Sequence, residues 1–143
     1  MISTKGRYAL RFLIDLAERG EGARVPLKDV AARQGISEKY LQQIARTLVE
    51  GGMLSGASGR SGGYALTRPA EGYVVFDVLE LVEGALAPVA CLAPGAEPCE
   101  RATTCKTLPL WQGLYEAERA YFSSVTLADL VAGLEPCADA LQA

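Results

Sequence analysis

The sequence predicts a mainly helical chain, a winged helix-turn-helix with a long dimerisation helix after it. Three observations predict it. Two helical stretches meet at a glycine-centred turn near Gly35, a glycine-studded hairpin follows them, and an apolar stripe runs along a later segment. By these marks residues 1–85 form the winged helix-turn-helix, 86–106 a cysteine-bearing loop, 107–132 the long helix with a short one behind it, and 133–143 a tail.

Ser3 can cap a first helix running to about Arg19, with Tyr8, Ala9, Phe12, Leu13 and Leu16 as a broad apolar face and Gly20 as its stop. In the next stretch, VPLKDVAARQGISEKYLQQIARTLVEGGML, Pro26 suits a first helical turn, and Val30 and Ala31 face inward. Gly35 makes the sharp turn. Ser37 then caps a helix whose Leu41, Ile44, Ala45, Leu48 and Val49 repeat at helical spacing, and Gly51-Gly52 ends it.

MLSGASGRSGGYALTR reads as two short strands around a glycine-rich tip, with Leu54, Tyr64 and Leu66 packing inward. A phosphate-binding loop would need a Lys followed by Ser or Thr at its helical end, and a dinucleotide loop would need a following helix; neither is present. The glycines therefore serve the hairpin. FDVLELVEG, from Phe76 to Gly84, makes a short amphipathic helix. LPLWQGLYEAERAYFSSV puts Leu110, Trp111, Leu114, Tyr115, Tyr121, Phe122 and Val125 on one side of a long one. That stripe folds back on its own domain or, the favoured reading, crosses the same helix of a second subunit over 107–125, because helix-turn-helix proteins read paired half-sites as dimers. SVTLADLV makes a last short helix.

Half of the 143 residues are hydrophobic, enough for one core. Lys5, Arg7 and Arg11 interrupt any secretory signal, and no apolar run is long enough to span a membrane, so a cytoplasmic protein is expected. The formal charge of -3 hides a division: residues 1–70 carry 11 Lys and Arg against 6 Asp and Glu, and residues 71–143 carry 3 against 11. The basic half suits a polyanion.

On the outer face of the second helix of the motif, Lys39, Gln42, Gln43 and Arg46 project together. Gln makes paired bonds to adenine, and Lys or Arg meets guanine or phosphate, so this face fits a major groove of double-stranded DNA. A plain solvated face would look the same; the basic half and the hairpin favour the groove. Arg60 at the tip suits a narrow minor groove. Lys28, Ser37, Tyr40, Ser61 and Gly62 complete this candidate DNA-contacting set.

The loop CLAPGAEPCERATTC spaces Cys91, Cys99 and Cys105 by seven and five residues in a chain without histidine. In a reducing compartment such thiols are ligands or redox groups before they are disulfides. Zinc ribbons and fingers place their cysteines two to four residues apart, whereas iron-sulfur clusters accept wider gaps. A thiol switch and inert thiols are the alternatives. Three thiols leave a fourth ligand position, for which Glu97, Glu100, a partner residue or an exogenous group are candidates; Cys137 stands apart as a packed or free thiol.

STKGRYAL at 3–10, AARQGISEKYLQQI at 31–44, SGGYALTRP at 61–69, the three cysteines and SVTLADLV at 124–131 together resemble the IscR, NsrR and CymR family of winged-helix transcription regulators. The resemblance implies a homodimeric DNA-binding regulator and, in the cysteine-bearing branch, an iron-sulfur cluster held by Cys91, Cys99 and Cys105, with [2Fe-2S] favoured over [4Fe-4S]. It also implies that Lys39, Gln42 and Gln43 lie on the recognition helix and that Ser3, Lys5 and Arg7 start the first helix near phosphate. Three positions depart from the pattern. Leu108 stands where IscR-like members have a histidine, Arg7 stands where NsrR-like members have a carboxylate, and the wing reads Ser58, Gly59, Arg60 where an Arg commonly precedes the first glycine of the tip.

The expected function is transcriptional regulation, as a repressor, sensing cluster, redox or nitric oxide status. A cluster-free thiol-redox regulator and an iron-sulfur electron carrier are the competing readings. The carrier leaves the basic helix-turn-helix unexplained, and no nucleophile and base stand together as an enzyme would need.

Overall fold

The structure, a computed structural model, describes residues 2–135, so Cys137 and most of the expected tail lie outside the described residues. Six α-helices and one hairpin follow in order among the described residues: α1 (Thr4–Glu18), α2 (Leu27–Gln34), α3 (Glu38–Glu50), β1 (Leu54–Ala57), β2 (Gly63–Leu66), α4 (Val75–Glu83), α5 (Leu108–Ser123) and α6 (Leu127–Ala132). The chain is therefore mainly helical with a two-stranded wing.

α1 starts where the Ser3 hydroxyl accepts from the Lys5 amide at 3.0 Å, supplying one of the partners a helix start lacks. Ala9, Phe12, Leu13 and Leu16 recur along one face and are buried. α2 ends at Gly35, whose φ of 63° and ψ of 35° are left-handed, a conformation that glycine adopts without Cβ strain. Ile36 is buried beneath the turn, and the Ser37 hydroxyl accepts from the Tyr40 amide at 3.3 Å to start α3. Leu41, Ile44, Ala45 and Leu48 of α3 face the core. Val49, expected inward, is 39% exposed, because one residue beyond Leu48 is about 100° around the helix.

The wing pairs Leu54 with Leu66 and Gly56 with Tyr64 in an antiparallel register. Leu54 is buried as expected, whereas Tyr64 and Leu66 are half-buried against the core and Ala65 is more deeply covered than either. Val25 extends the pairing by exchanging two hydrogen bonds of 2.9 Å with Tyr64, which draws the hairpin against the start of α2. A Cβ at Gly63 would collide with the Val25 backbone, and its φ of 136° already demands glycine. At the base of the wing the fully buried Tyr73 donates its hydroxyl to the Met53 carbonyl at 2.7 Å and accepts from the Thr67 amide at 2.9 Å.

α4 closes the domain with Val75, Phe76, Val78, Leu79 and Val82 buried. Its end is locked to the start of α1: Glu83 Oε1 accepts from the Ser3 amide, the Ser3 hydroxyl and the Gly6 amide at 2.8–3.0 Å, and Lys5 Nζ donates to the Val82 carbonyl at 3.1 Å. Each charge sits at the helix end whose dipole it complements. A smaller core joins Val75, Leu79 and Val125, with Phe122 packed against it. There the Val75 amide donates to the Val125 carbonyl at 2.9 Å and the Leu127 amide to the Tyr73 carbonyl at 2.8 Å. Thr126 and Asp129 form a capping box that starts α6.

α5 buries none of its residues fully. The stripe expected on one side divides in two. Trp111, Tyr115 and Phe122 are half-buried, while Leu110 and Tyr121 are 62% and 59% exposed and share an outward face with Leu114. Val125, assigned to this stripe from the sequence, lies beyond the helix and packs into the smaller core. No helix of the described residues is long and apolar enough to cross a membrane.

Candidate nucleic-acid interface and cysteine pocket

Two regions gather the chemistry. The first is the outward side of α3 and the wing. Lys39, Gln42, Gln43 and Arg46 are exposed on α3, spaced by three, one and three residues, so they occupy one side of the helix. Between α3, the start of α2 and the wing lies a cleft of about 490 Å³ whose lining includes Lys28, Gln42, Tyr64, Arg60 and Gly62. Long-range pairing, above all Val25 with Tyr64, brings these residues together from three separate elements. Glu38 lines the same cleft and was not singled out from the sequence, although its position one turn before Gln42 is the signal that could have found it. Ser61 is exposed at the wing tip.

What fixes the pose of the helix-turn-helix comes from α1. Asp15, 1% exposed, accepts from Arg33 at 2.6 and 3.0 Å and from Gln34 at 3.0 Å. Burial raises the Asp15 carboxyl, but the hydrogen bonds from Arg33 and Gln34 and the Arg33 charge outweigh it, leaving the group below the ordinary carboxylate value. Arg11 reaches the same turn, donating to the Gln34 side chain at 3.0 Å and to its backbone carbonyl. Tyr8 meets Tyr40 of α3 edge to face at 5.8 Å, with the Arg11 guanidinium over the Tyr8 ring at 5.3 Å. Tyr40 is thus half-buried and braced on α1. Ser3 and Lys5 are engaged with the end of α4, and exposed Arg7 donates to Thr4 Oγ1 at 3.2 Å.

The second region is the loop between α4 and α5. Cys91, Cys99 and Cys105 all line one cavity of about 240 Å³, together with Leu92, Pro98, Ala102, Leu108 and Gln112. The sequence spacing alone did not require that convergence. Cys91 and Cys99 are exposed and Cys105 is half-buried. Cys105 Sγ and Thr107 Oγ1 are 3.4 Å apart, and this side-chain hydrogen bond, aided by backbone amides at the start of α5, holds the thiol below its ordinary pKa.

No three His, Cys, Asp or Glu side chains among the described residues stand close enough to hold a single metal ion. The donor set is soft and sulfur-only, and its members share a largely apolar cavity. Soft sulfur donors suit a thiolate-held group and do not suit a lone hard cation. Leu108 forms part of the cavity wall one turn before Gln112. Glu97 and Glu100 are exposed and take no part in lining it.

A family model described as "Rrf2: Iron-dependent Transcriptional regulator" matches residues 2–133. The chain is 37% identical over 137 residues to the protein rrf2 of Nitratidesulfovibrio vulgaris, covering 95% of this chain and 90% of that one. It is 35% identical over 130 residues to the HTH-type transcriptional regulator IscR of Klebsiella pneumoniae, covering 91% and 78% respectively. Among solved structures it is similar to CymR (YrzC), the global cysteine regulator of B. subtilis, with a TM-score of 0.75, 31% identity and coverage of 94% and 98%.

Proposed function

This chain belongs to the Rrf2 family of DNA-binding transcriptional regulators, not enzymes, and from that premise we propose that it is a cytoplasmic repressor whose grip on its operator follows the state of Cys91, Cys99 and Cys105. The observation that carries the reading is the arrival of all three thiols at one cavity directly before α5. An iron-sulfur cluster, [2Fe-2S] in preference to [4Fe-4S], would supply there a centre that oxidants or nitric oxide alter and iron scarcity removes. Cys91, Cys99 and Cys105 are the ligands in this reading.

Cys105 lies three residues before Leu108, so a change in the loop's shape bears on the first turn of α5. The exposed Leu110, Leu114 and Tyr121 pair α5 with its copy in a homodimer, and the angle between the two copies sets the separation of the two recognition helices. Gln42 and Gln43 read base edges, Lys39 and Arg46 meet guanine or phosphate, and Tyr40, Lys28 and Ser37 hold the backbone beside them. Arg60, Ser61 and Gly62 follow the minor groove, and of Ser3, Lys5 and Arg7 it is the exposed Arg7 that approaches a flanking phosphate, the other two being bonded to the end of α4.

A cluster-free thiol-redox regulator is the second reading. The lowered pKa of Cys105 and the likeness to CymR, solved from Staphylococcus aureus in an oxidized form, favour it. Anaerobic purification with visible spectroscopy, iron and sulfide analysis, and promoter binding before and after iron loss separates the two. Iron and sulfide that disappear in the triple Cys→Ala variant, with a changed affinity for the promoter, support the cluster. A colourless protein whose DNA affinity still responds to thiol oxidation supports the switch. Affinity indifferent to all three thiols sinks both.

A further inference from the structure

We propose that Glu38 is a specificity-determining residue, reading a cytosine in each operator half-site; this rests on the DNA-binding reading above. Glu38 is the first residue of α3, exposed, and lines the cleft that also holds Gln42, Lys28 and Arg60. It is the one carboxylate in that lining. No Lys or Arg of the described residues lies within ion-pair distance of it, so inside the protein its charge meets only the N-terminal dipole of α3.

A carboxylate on a DNA-facing surface is repelled by every phosphate, a cost that the α3 N-terminus offsets only in part, so a donor on the DNA is favoured beside it. The major groove offers such donors only on bases. Guanine presents two acceptors, thymine an acceptor and a methyl group, and adenine sets an acceptor beside its amino group; cytosine presents its N4 amino group alone. A glutamate at the N-terminal end of a recognition helix, where side chains approach base edges, therefore accepts best from cytosine. Glu38 and Gln42, four residues apart, present a successive acceptor and amide along the same edge of α3.

The full-length chain, purified anaerobically, is used to select binders from a random duplex library, alongside Glu38→Gln and Glu38→Ala. The wild type should enrich a two-fold motif with a C·G pair at one position of each half. In Glu38→Ala that position should relax, with discrimination falling by about tenfold or more, while the rest of the motif persists. Glu38→Gln should move the preference at the same position toward adenine, since an amide pairs with adenine's acceptor and donor. An unchanged motif in both variants overturns the assignment, as does a uniform gain in affinity for all duplexes, which would make Glu38 a source of repulsion only. A wild type that enriches no motif defeats the DNA-binding reading itself, an outcome distinct from these two.

Discussion

Asp15 and Arg33 form a bidentate ion pair, at 2.6 and 3.0 Å, between the apolar face of α1 and the last turn of α2. The carboxylate is buried while the guanidinium keeps part of its surface in solvent. The pair joins α1 to the turn that sets the angle of the recognition helix.

Because Asp15 has a lower pKa folded than unfolded, the stability it contributes is present above the ordinary carboxylate value of about 4 and is lost as pH falls through the folded one. Asp15→Asn should destabilise the protein at pH 7 by about 1–3 kcal/mol, less than for a fully buried pair because Arg33 remains hydrated. Urea melts at pH 7 and pH 3 check this. The gap between wild type and variant should shrink at pH 3, and a gap independent of pH would remove the pair from the account.

The Tyr73 hydroxyl serves two backbone partners at the base of the wing, so Tyr73→Phe strands the Met53 carbonyl and the Thr67 amide. A loss of about 1–3 kcal/mol is expected in denaturant melts, with the helices otherwise intact. A neutral substitution would mean that water replaces the hydroxyl at no cost.

Much of this architecture was legible in the sequence. Ser3, Gly35 and Ser37 act within a few residues of themselves, through caps and a left-handed turn, and the structure has them in those roles. Asp15 was not legible. Its position in an apolar face makes sense only with Arg33, 18 residues away and on another helix. The same limit hid Glu83, whose partners Ser3 and Gly6 stand some 80 residues earlier in the sequence. The cysteine spacing named candidate ligands but could not say that all three would reach one cavity, because a loop poor in core residues takes its path from its anchored ends. Glu38 stands one turn before Gln42, a spacing open to the sequence, but only the wing completes the cleft that gives the position its meaning.

Gln42→Ala should lower preference for operator over random duplex by about 1–3 kcal/mol. Arg60→Ala should weaken binding most where the minor groove beside the wing is narrow and reduce the salt slope by about one on both duplexes. Binding isotherms on the two duplexes at several salt concentrations separate these effects. Equal losses on both duplexes for Gln42→Ala would argue against readout by α3.

Thr107→Val removes the hydroxyl bonded to Cys105 and should raise that thiol's pKa. Alkylation of Cys105 in the iron-free, reduced protein, followed by peptide mass spectrometry, should slow at pH 7, and its pH profile should move upward. An unaltered profile would assign the lowered pKa to another cause.

The exposed face of α5 leads to a prediction about assembly. Leu110→Glu with Tyr121→Glu places two charges on it and should yield monomers in sedimentation measurements, with a large loss of operator affinity. A variant that remains dimeric would put the contact elsewhere.

The strand-like pairing of Tyr73–Val75 with Val125–Leu127 also makes the long cysteine-bearing excursion a closed handle, fastened at both ends to the same body. Arg101 and Lys106 are exposed on that handle. Trypsin that nicks the peptide backbone there should leave two pieces that elute together under native conditions and part only in denaturant, because what holds them is not the severed bond.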